Sequence, residues 1–414
     1  MRNRVKNSKK VNEKVLIATV DIGKKSHYGY WRSYTGADCR SFEFSNTRAG
    51  FEKFWHTIRT AQDQQKASLI IAGFESTGSY GEPLVHYLRK KPVKLVQVSP
   101  MHTKRVKELC DNSPRKADQK DPRVIADIIQ LGHYLSLVVP TGAAGELRRL
   151  TNARERAVTD RSSTIRRLHA LLSVVFPEFV EVMKSVTSKS SLYLLQLVPV
   201  PRLIVALGKT RLKNRLYTVS RGRFGEKRAE ELYAVAYDSV GVTDGSESIS
   251  MEIRKLLADI AADTASIVLY ESKMKEFLET LPYSRHLLSI KGIGIVTASG
   301  IIGEIGSFEA YSSANKLIKL AGLNLFEISS GAHKGIRRIT KRGRAKLRKI
   351  LYFAAINVVR KDGVLHSYYQ KLINRGMHRM KALVAVMKKL LRIMFALVRN
   401  QTVYNTEYSM KQAA

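Results

Sequence analysis

The sequence predicts an α/β domain, then a helical coiled-coil stalk, then a mainly α C-terminal domain. Three observations carry this. Between residues 15 and 143, short buried runs alternate with helical patterns. Two long stretches, near 145–176 and 253–277, keep apolar residues three and four apart. After residue 283, glycine turns separate short helices to about residue 400. The expected layout is a basic arm (1–14), the α/β domain (15–143), a stalk with a basic insertion (144–282), the C-terminal domain (283–400) and a tail (401–414).

In chain order, "VLIATVDIG" reads as a buried strand that ends at Asp21. "HYGYWRSY" and "RSFEFSN", separated by "TGAD", complete a meander. Phe51, Phe54, Trp55 and Ile58 have helical spacing. "ASLIIAGFEST" is a second buried strand, ending near Glu75. A helix ("GEPLVHYLRKK"), a strand ("VKLVQVSP") and a helix ("MHTKRVKELC") follow. The last helix, "DPRVIADIIQLGHYL", has Asp121 at the N-cap and Pro122 at the first helical position. The order is βββαβαβα. Leu147, Leu150, Ala157, Leu168, Leu171 and Val175 fall on heptad positions, with Arg154, Arg161 and Thr164 breaking the seam. Residues 202–232 read as basic and irregular, and 240–250 as a polar linker. The second stalk helix carries Ile253, Leu256, Ile260, Ile267, Tyr270, Met274 and Phe277, with Asp263 out of place. "LLSIKGIGIVTASGIIGEIGSF" resembles a helix-hairpin-helix, in which Lys291 and the backbone at Gly292 and Gly294 face phosphate.

The net charge of +36 on 414 residues makes a polyanion the expected partner. Hydrophobic content of 44% excludes a disordered chain. Cys39 and Cys110 point to a reducing compartment rather than a disulfide framework. No run approaches membrane-spanning length and no signal-peptide pattern follows the basic start. The expectation is a cytoplasmic, nucleoid-associated bacterial protein.

Two clusters carry chemistry. Asp21 and Glu75 end strands, and Asp118 and Asp121 stand in "KADQKD" at a helix entrance. In a ribonuclease H-like sheet these chain positions converge, and four carboxylates there suit two Mg²⁺ ions about 4 Å apart. Taken singly, each acid has a structural reading as a turn, cap or solvated residue. Together, in so basic a chain, they repel a nucleic acid unless metal intervenes. The second cluster is "FEISSGAHKGIRRITKRGRAKLRK", where Ser329 and Ser330 precede a basic run. Lys334, Arg337, Arg338, Lys341, Arg342 and Arg344 suit a phosphate backbone. The serines either cap the chain or act on the phosphate, and a hydroxyl needs a base, metal or charged setting to attack.

Asp21, Glu75, Asp118 and Asp121, with "KGIGIVTASGIIGEIGSF" and the "SSG…TKRG" segment, resemble the DEDD transposases of IS110-type insertion sequences. Their relatives are the Piv-type invertases, and some members use a bridge RNA. The resemblance spans most of residues 15–400. It implies a RuvC-like nuclease domain, a coiled-coil stalk and a transposase domain with a catalytic serine, which matches Ser330 before Gly331. Pro122 departs from the small residue of many members. The resemblance further implies a DNA recombinase acting on donor and target DNA, with Mg²⁺ as cofactor. A bridge RNA and a homo-oligomer (dimer or tetramer) are the implied partners. Exchange would proceed through a phosphoserine link, with metal supplied by the N-terminal domain. The competing readings are a RuvC-like Holliday-junction nuclease that uses water and a non-catalytic nucleic-acid-binding protein. A tyrosine recombinase using Tyr404 or Tyr408 lacks a recognisable Arg/His set.

Overall fold

A computed structural model describes residues 14–75, 80–110, 121–326 and 337–405. The chain divides into two compact units, Met1–Val139 and Pro140–Ala414.

The first unit is a six-stranded mixed sheet with helices on both faces. Its elements are β1 (Val15–Ile22), β2 (Ser26–Ser33), β3 (Phe42–Ser45), α1 (Arg48–Gln64), β4 (Leu69–Glu75), α2 (Glu82–Leu88), β5 (Lys94–Val98), α3 (Pro100–Cys110), α4 (Asp121–Gln130) and β6 (Leu135–Ser136). The strand order is β3-β2-β1-β4-β5-β6. β1, β4 and β5 run parallel, and the other pairs are antiparallel. Both helices read after the third parallel strand are present as α3 and α4, but α4 stops at Gln130, and a short edge strand, β6, follows where the helix was expected to continue. Strand β1 is apolar from Val15 to Val20 except for the buried Thr19, because both its faces are covered. Leu16, Ala18 and Val20 pack with α1 and α2, whereas Val15 and Ile17 pack with α4. Gly73 lets α4 approach closely, since a Cβ there would lie 2.1 Å from Ile129 Cδ1.

The second unit is built on two 34-residue helices, α5 (Gly142–Val175) and, later in the chain, α11 (Ser246–Glu279). They run antiparallel: Arg154 meets Glu271 at 2.6 Å, and Arg161 meets Thr264 at 3.4 Å, about two turns further along α5 and two turns back along α11. Two residues expected to break the seam therefore bridge it instead. Thr164 is buried with its hydroxyl donated to Asp160 O, and Leu172 rather than Leu171 is the buried leucine.

Between the long helices lie α6 (Phe179–Met183), α7 (Lys189–Leu197), α8 (Pro201–Leu207), α9 (Lys209–Ser220) and α10 (Glu226–Tyr237). The 202–232 stretch is therefore helical and not irregular. Leu212, Leu216, Ala229 and Leu232 enter a shared core with Phe176, Phe179 and Ile253. Its cations, Arg211, Arg215 and Lys227 among them, stay exposed and mask the apolar period. The second part of the expected polar linker is also helix: α11 begins at Ser246, and Ser246 and Ser250 are buried, while 240–245 stay outside the helices.

The remaining elements are α12 (Ser284–Leu288), α13 (Ile295–Ile305), α14 (Ala314–Leu320), β7 (Leu325–Phe326), β8 (Arg338–Ile339), α15 (Ala345–Val358), α16 (His366–Asn374) and α17 (Arg379–Asn400). Helix α17 is longer than the short helices expected here. Its Val386, Leu390 and Met394 share one core with Ile301, Leu351 and, from the two long helices, Leu147 and Met274. No single described helix is long and apolar enough to cross a membrane.

Candidate active site

Register decides where the carboxylates of the first unit go. Val20 pairs with Phe74 across β1 and β4, so Asp21 and Glu75 are the next residues at the same, carboxyl, end of adjacent parallel strands. Val20 and Phe74 face α1 and α2. Alternation therefore turns Asp21 and Glu75 toward the α4 face. Helix α4 begins at Asp121, and its first turn is tied to the sheet by the Thr19 hydroxyl, which donates to Pro122 O at 2.6 Å. Thr19 precedes Asp21 by two residues on the same face. The three described acids thus share one face and one end of the sheet, while Asp118 lies outside the described residues.

Two groups from α3 complete this corner. Lys107 donates to Asp121 Oδ2 at 2.5 Å. Thr103, four residues earlier and buried, donates its hydroxyl to Ser99 O at 3.4 Å and holds the Glu75 pKa down from beside the carboxylate. Burial raises the Glu75 pKa above the usual carboxylate value, and the charge of Asp121 pushes the same way. Lys107 and Thr103 oppose the rise. Neither α3 residue was singled out from the sequence. Their i, i+4 spacing was visible, but it matters only once α3 is known to pack beside α4.

Among the described residues, no three His, Cys, Asp or Glu side chains close on one point at metal-ligating distance. The Lys107 ammonium instead provides the cation at Asp121. In kind, the donors suit a hard divalent ion, because they are carboxylate oxygens whose mutual repulsion already favours a cation between them.

In the second unit, Phe326 pairs with Arg338 and Leu325 with Ile339 in a short hairpin. Ser329, Ser330, Gly331, His333 and Lys334 lie between its two strands and outside the described residues. The base of the hairpin is well defined. Gly322 takes φ +67, and Gly343 crosses it so closely that a Cβ on Gly343 would sit 2.4 Å from Gly322 N and from Leu320 O. Lys341 N–H donates to Gly322 O at 3.0 Å and Arg344 N–H to Leu320 O at 2.7 Å.

Arg337, Arg338, Lys341 and Arg342 are exposed around this base. Arg344 is placed differently. Its guanidinium donates to Glu304 O and lies 3.4 Å from Glu304 Oε2, and burial lowers its pKa. Arg344 therefore has a structural partner that neutralises much of its charge.

Lys291 is exposed on the turn between α12 and α13. Gly292 has φ +100 and packs by Val358, where a Cβ would approach Val358 Cγ1 to 3.3 Å, and Gly294 caps α13 with open space beside it. Val358 ends α15, whereas the hairpin base adjoins its start. Fourteen residues of helix separate the two segments, or about 20 Å. The structure does not bring these two expected phosphate contacts together.

Two family models match the chain. One, a DEDD transposase model of the IS110 type, matches residues 18–177, and the other, a transposase model of the IS116/IS110/IS902 family, matches residues 284–370. Together they cover more than half of the sequence. The chain is 22% identical over 394 residues to the 43.6 kDa protein of insertion element IS110 from Streptomyces coelicolor, covering 94% of this chain and 95% of that protein. It is 24% identical over 304 residues to the 44.8 kDa protein of insertion element IS116 from Streptomyces clavuligerus, covering 72% and 75%. The transposase for insertion sequence element IS1111A of Coxiella burnetii is 27% identical over 194 residues, covering 45% of this chain and 52% of that protein.

Proposed function

The chain belongs to the IS110 family of transposases, and from that premise we propose that it cuts and rejoins DNA strands with two sets of residues: the carboxylates at the end of its first sheet and Ser330. The observation that carries the first part is the convergence of Asp21, Glu75 and Asp121 on one sheet end, in a chain of net charge +36. Acids gathered where a polyanion must bind are costly unless they hold a cation. Asp21, Glu75 and Asp121, with Asp118, would hold Mg²⁺, which when bound supplies Lewis acidity toward a phosphate oxygen.

Ser330 is the proposed nucleophile. Its Oγ attacks the phosphorus of a DNA phosphodiester and forms a P–Oγ bond. The P–O3′ bond breaks, and the hydroxyl proton ends on the departing 3′-oxygen. A 3′-hydroxyl from another strand reverses the step, so one phosphoester replaces another without hydrolysis. Arg337, Arg338, Lys341 and Arg342 hold backbone phosphates and offset the charge that develops. Their exposure around a rigid hairpin base supports this role.

Exchange between donor and target DNA requires at least two protomers, so the working form is a homo-oligomer. The charge excess, including the exposed cations of α9 and α10, supports a bridge RNA as a further partner that selects the DNA by pairing. The test is a strand-cleavage assay on Asp21→Asn, Glu75→Gln and Asp121→Asn. Each should lose cleavage while nucleic-acid binding persists. Cleavage at the normal rate in EDTA would refute the metal-dependent reading.

A further inference from the structure

The face of the first sheet opposite the carboxylates carries a groove that the reaction above does not use. It lies between α1 and α2 and encloses about 840 Å³. Its floor is aromatic: Phe51 is buried, while Trp55 and Tyr87 are half-buried and line the opening. Its rim carries Arg59, Lys90 and Lys91 and one acid, Glu52, whose carboxylate accepts from Arg48 Nε at 3.0 Å. The rim cations differ in how they are held. Arg59 donates to Gln62 at 2.5 Å and lies 3.9 Å from Asp63. Among the described residues, Lys90 and Lys91 have no carboxylate at ion-pair distance. The Lys91 ammonium instead sits over both rings, 5.7 Å from the Trp55 centroid and 5.0 Å from that of Tyr87.

We propose that this groove binds single-stranded nucleic acid, with bases stacked on Trp55 and Tyr87 and backbone phosphates on Lys90, Lys91 and Arg59. Aromatic faces beside unneutralised cations are the combination that a single strand satisfies, because every base has a stacking face and every linkage a charge. A duplex hides its bases and would use only the rim. The Lys91 stem is flexible enough to leave the rings for a phosphate when a base takes its place. The inference rests on the nucleic-acid reading of the preceding subsection, and it assigns a second binding surface distinct from the carboxylate corner.

The chain has two tryptophans, and the other, Trp31, lies on β2. Trp31→Phe therefore leaves Trp55 as the sole indole reporter. The full-length variant is titrated with oligo(U) and oligo(dT) of about twelve nucleotides, within the site size of single-strand grooves. Fluorescence reports the groove, and anisotropy of a labelled oligonucleotide reports binding anywhere on the chain. Saturable quenching of Trp55 is expected, and whichever oligonucleotide quenches at lower concentration identifies RNA or DNA as the preferred strand.

Lys90→Ala/Lys91→Ala should weaken the quenching at least tenfold at low salt and make its log–log salt slope shallower by about 1.4, or about 0.7 for each phosphate lost. In a chain that keeps Trp31, Trp55→Phe should abolish the saturable quenching, which guards against a misfolded Trp31→Phe variant. Persistent anisotropy with no Trp55 quenching, or quenching unchanged by the double lysine variant, would overturn the groove and leave the nucleic-acid reading standing. Loss of both signals in the unaltered chain would overturn both.

Discussion

Gly343→Ala should loosen the hairpin base that brackets Ser330, and the structure sets the size of the effect. The new methyl would lie 2.4 Å from Gly322 N and Leu320 O, and 2.9 Å from Gly322 Cα. All three are backbone atoms, so no side-chain rotation relieves the overlap. The two segments must part by about 1 Å to reach ordinary contact. That opens the Arg344 N–H bond to Leu320 O, now 2.7 Å, and the Lys341 N–H bond to Gly322 O, now 3.0 Å. Two net hydrogen bonds, with partial desolvation of the groups left behind, amount to roughly 2–4 kcal/mol. In a domain of this size the melting temperature should fall by roughly 5–15 °C. Differential scanning calorimetry of the full chain reads this directly. Arg342→Ala, one residue earlier and exposed, is the control. It should leave the transition within about 0.5 kcal/mol while weakening nucleic-acid binding. A Gly343→Ala transition displaced by less than about 1 °C would mean that the close crossing does not hold the hairpin base.

Two further predictions concern the first unit. Removing the ammonium with Lys107→Ala should raise the apparent affinity for Mn²⁺, measured by calorimetry on uncleaved protein, because Lys107 no longer competes for Asp121; without divalent ion the variant should lose about 1 kcal/mol of stability, a small cost for a partly exposed pair, and unchanged metal affinity would contradict the competition. Tyr30 is fully buried, donates to Asp38 Oδ2 at 2.6 Å, and has its pKa pushed up to about 12 by burial. The folded state therefore holds this proton more tightly than the unfolded chain, whose phenol titrates near 10. Its contribution is fully present below pH 10 and is lost as pH rises through about 12. Urea unfolding should show a loss of roughly 2–3 kcal/mol across that window, and Tyr30→Phe should remove that loss; equal alkaline slopes in both proteins would refute the assignment.

Much of the first unit was legible in its strands. "VLIATVDIG" and "ASLIIAGFEST" are apolar on both faces, and a polar residue ending such a run marks the carboxyl end of a central strand. That places Asp21 and Glu75 at a shared end once the two strands are taken as neighbours. Asp121 was legible through the Asp-Pro start of α4. The α3 contributions of Thr103 and Lys107 were hidden, since a helix of mixed polarity does not announce which polar face is turned inward. Charge concealed the helices of 202–232: Leu212 and Leu216 are four apart, but the cations between them read as a solvated loop. Arg344 shows the converse. In sequence it is one more cation in a basic run, and only the packing of α15 near α13 reveals Glu304 as its partner.

The most direct test of the proposed chemistry is the covalent link itself. The full chain is incubated with Mg²⁺ and DNA carrying the end of its insertion element, then denatured and digested, and peptides bearing a nucleotide are mapped by mass spectrometry. The account predicts a deoxynucleotide phosphodiester on Ser330, absent from Ser330→Ala and from Asp21→Asn, and retained by Ser329→Ala. Strand cleavage that yields only free ends, or an adduct on another residue in Ser330→Ala, would contradict it and return the "SSG" step to the role of a turn.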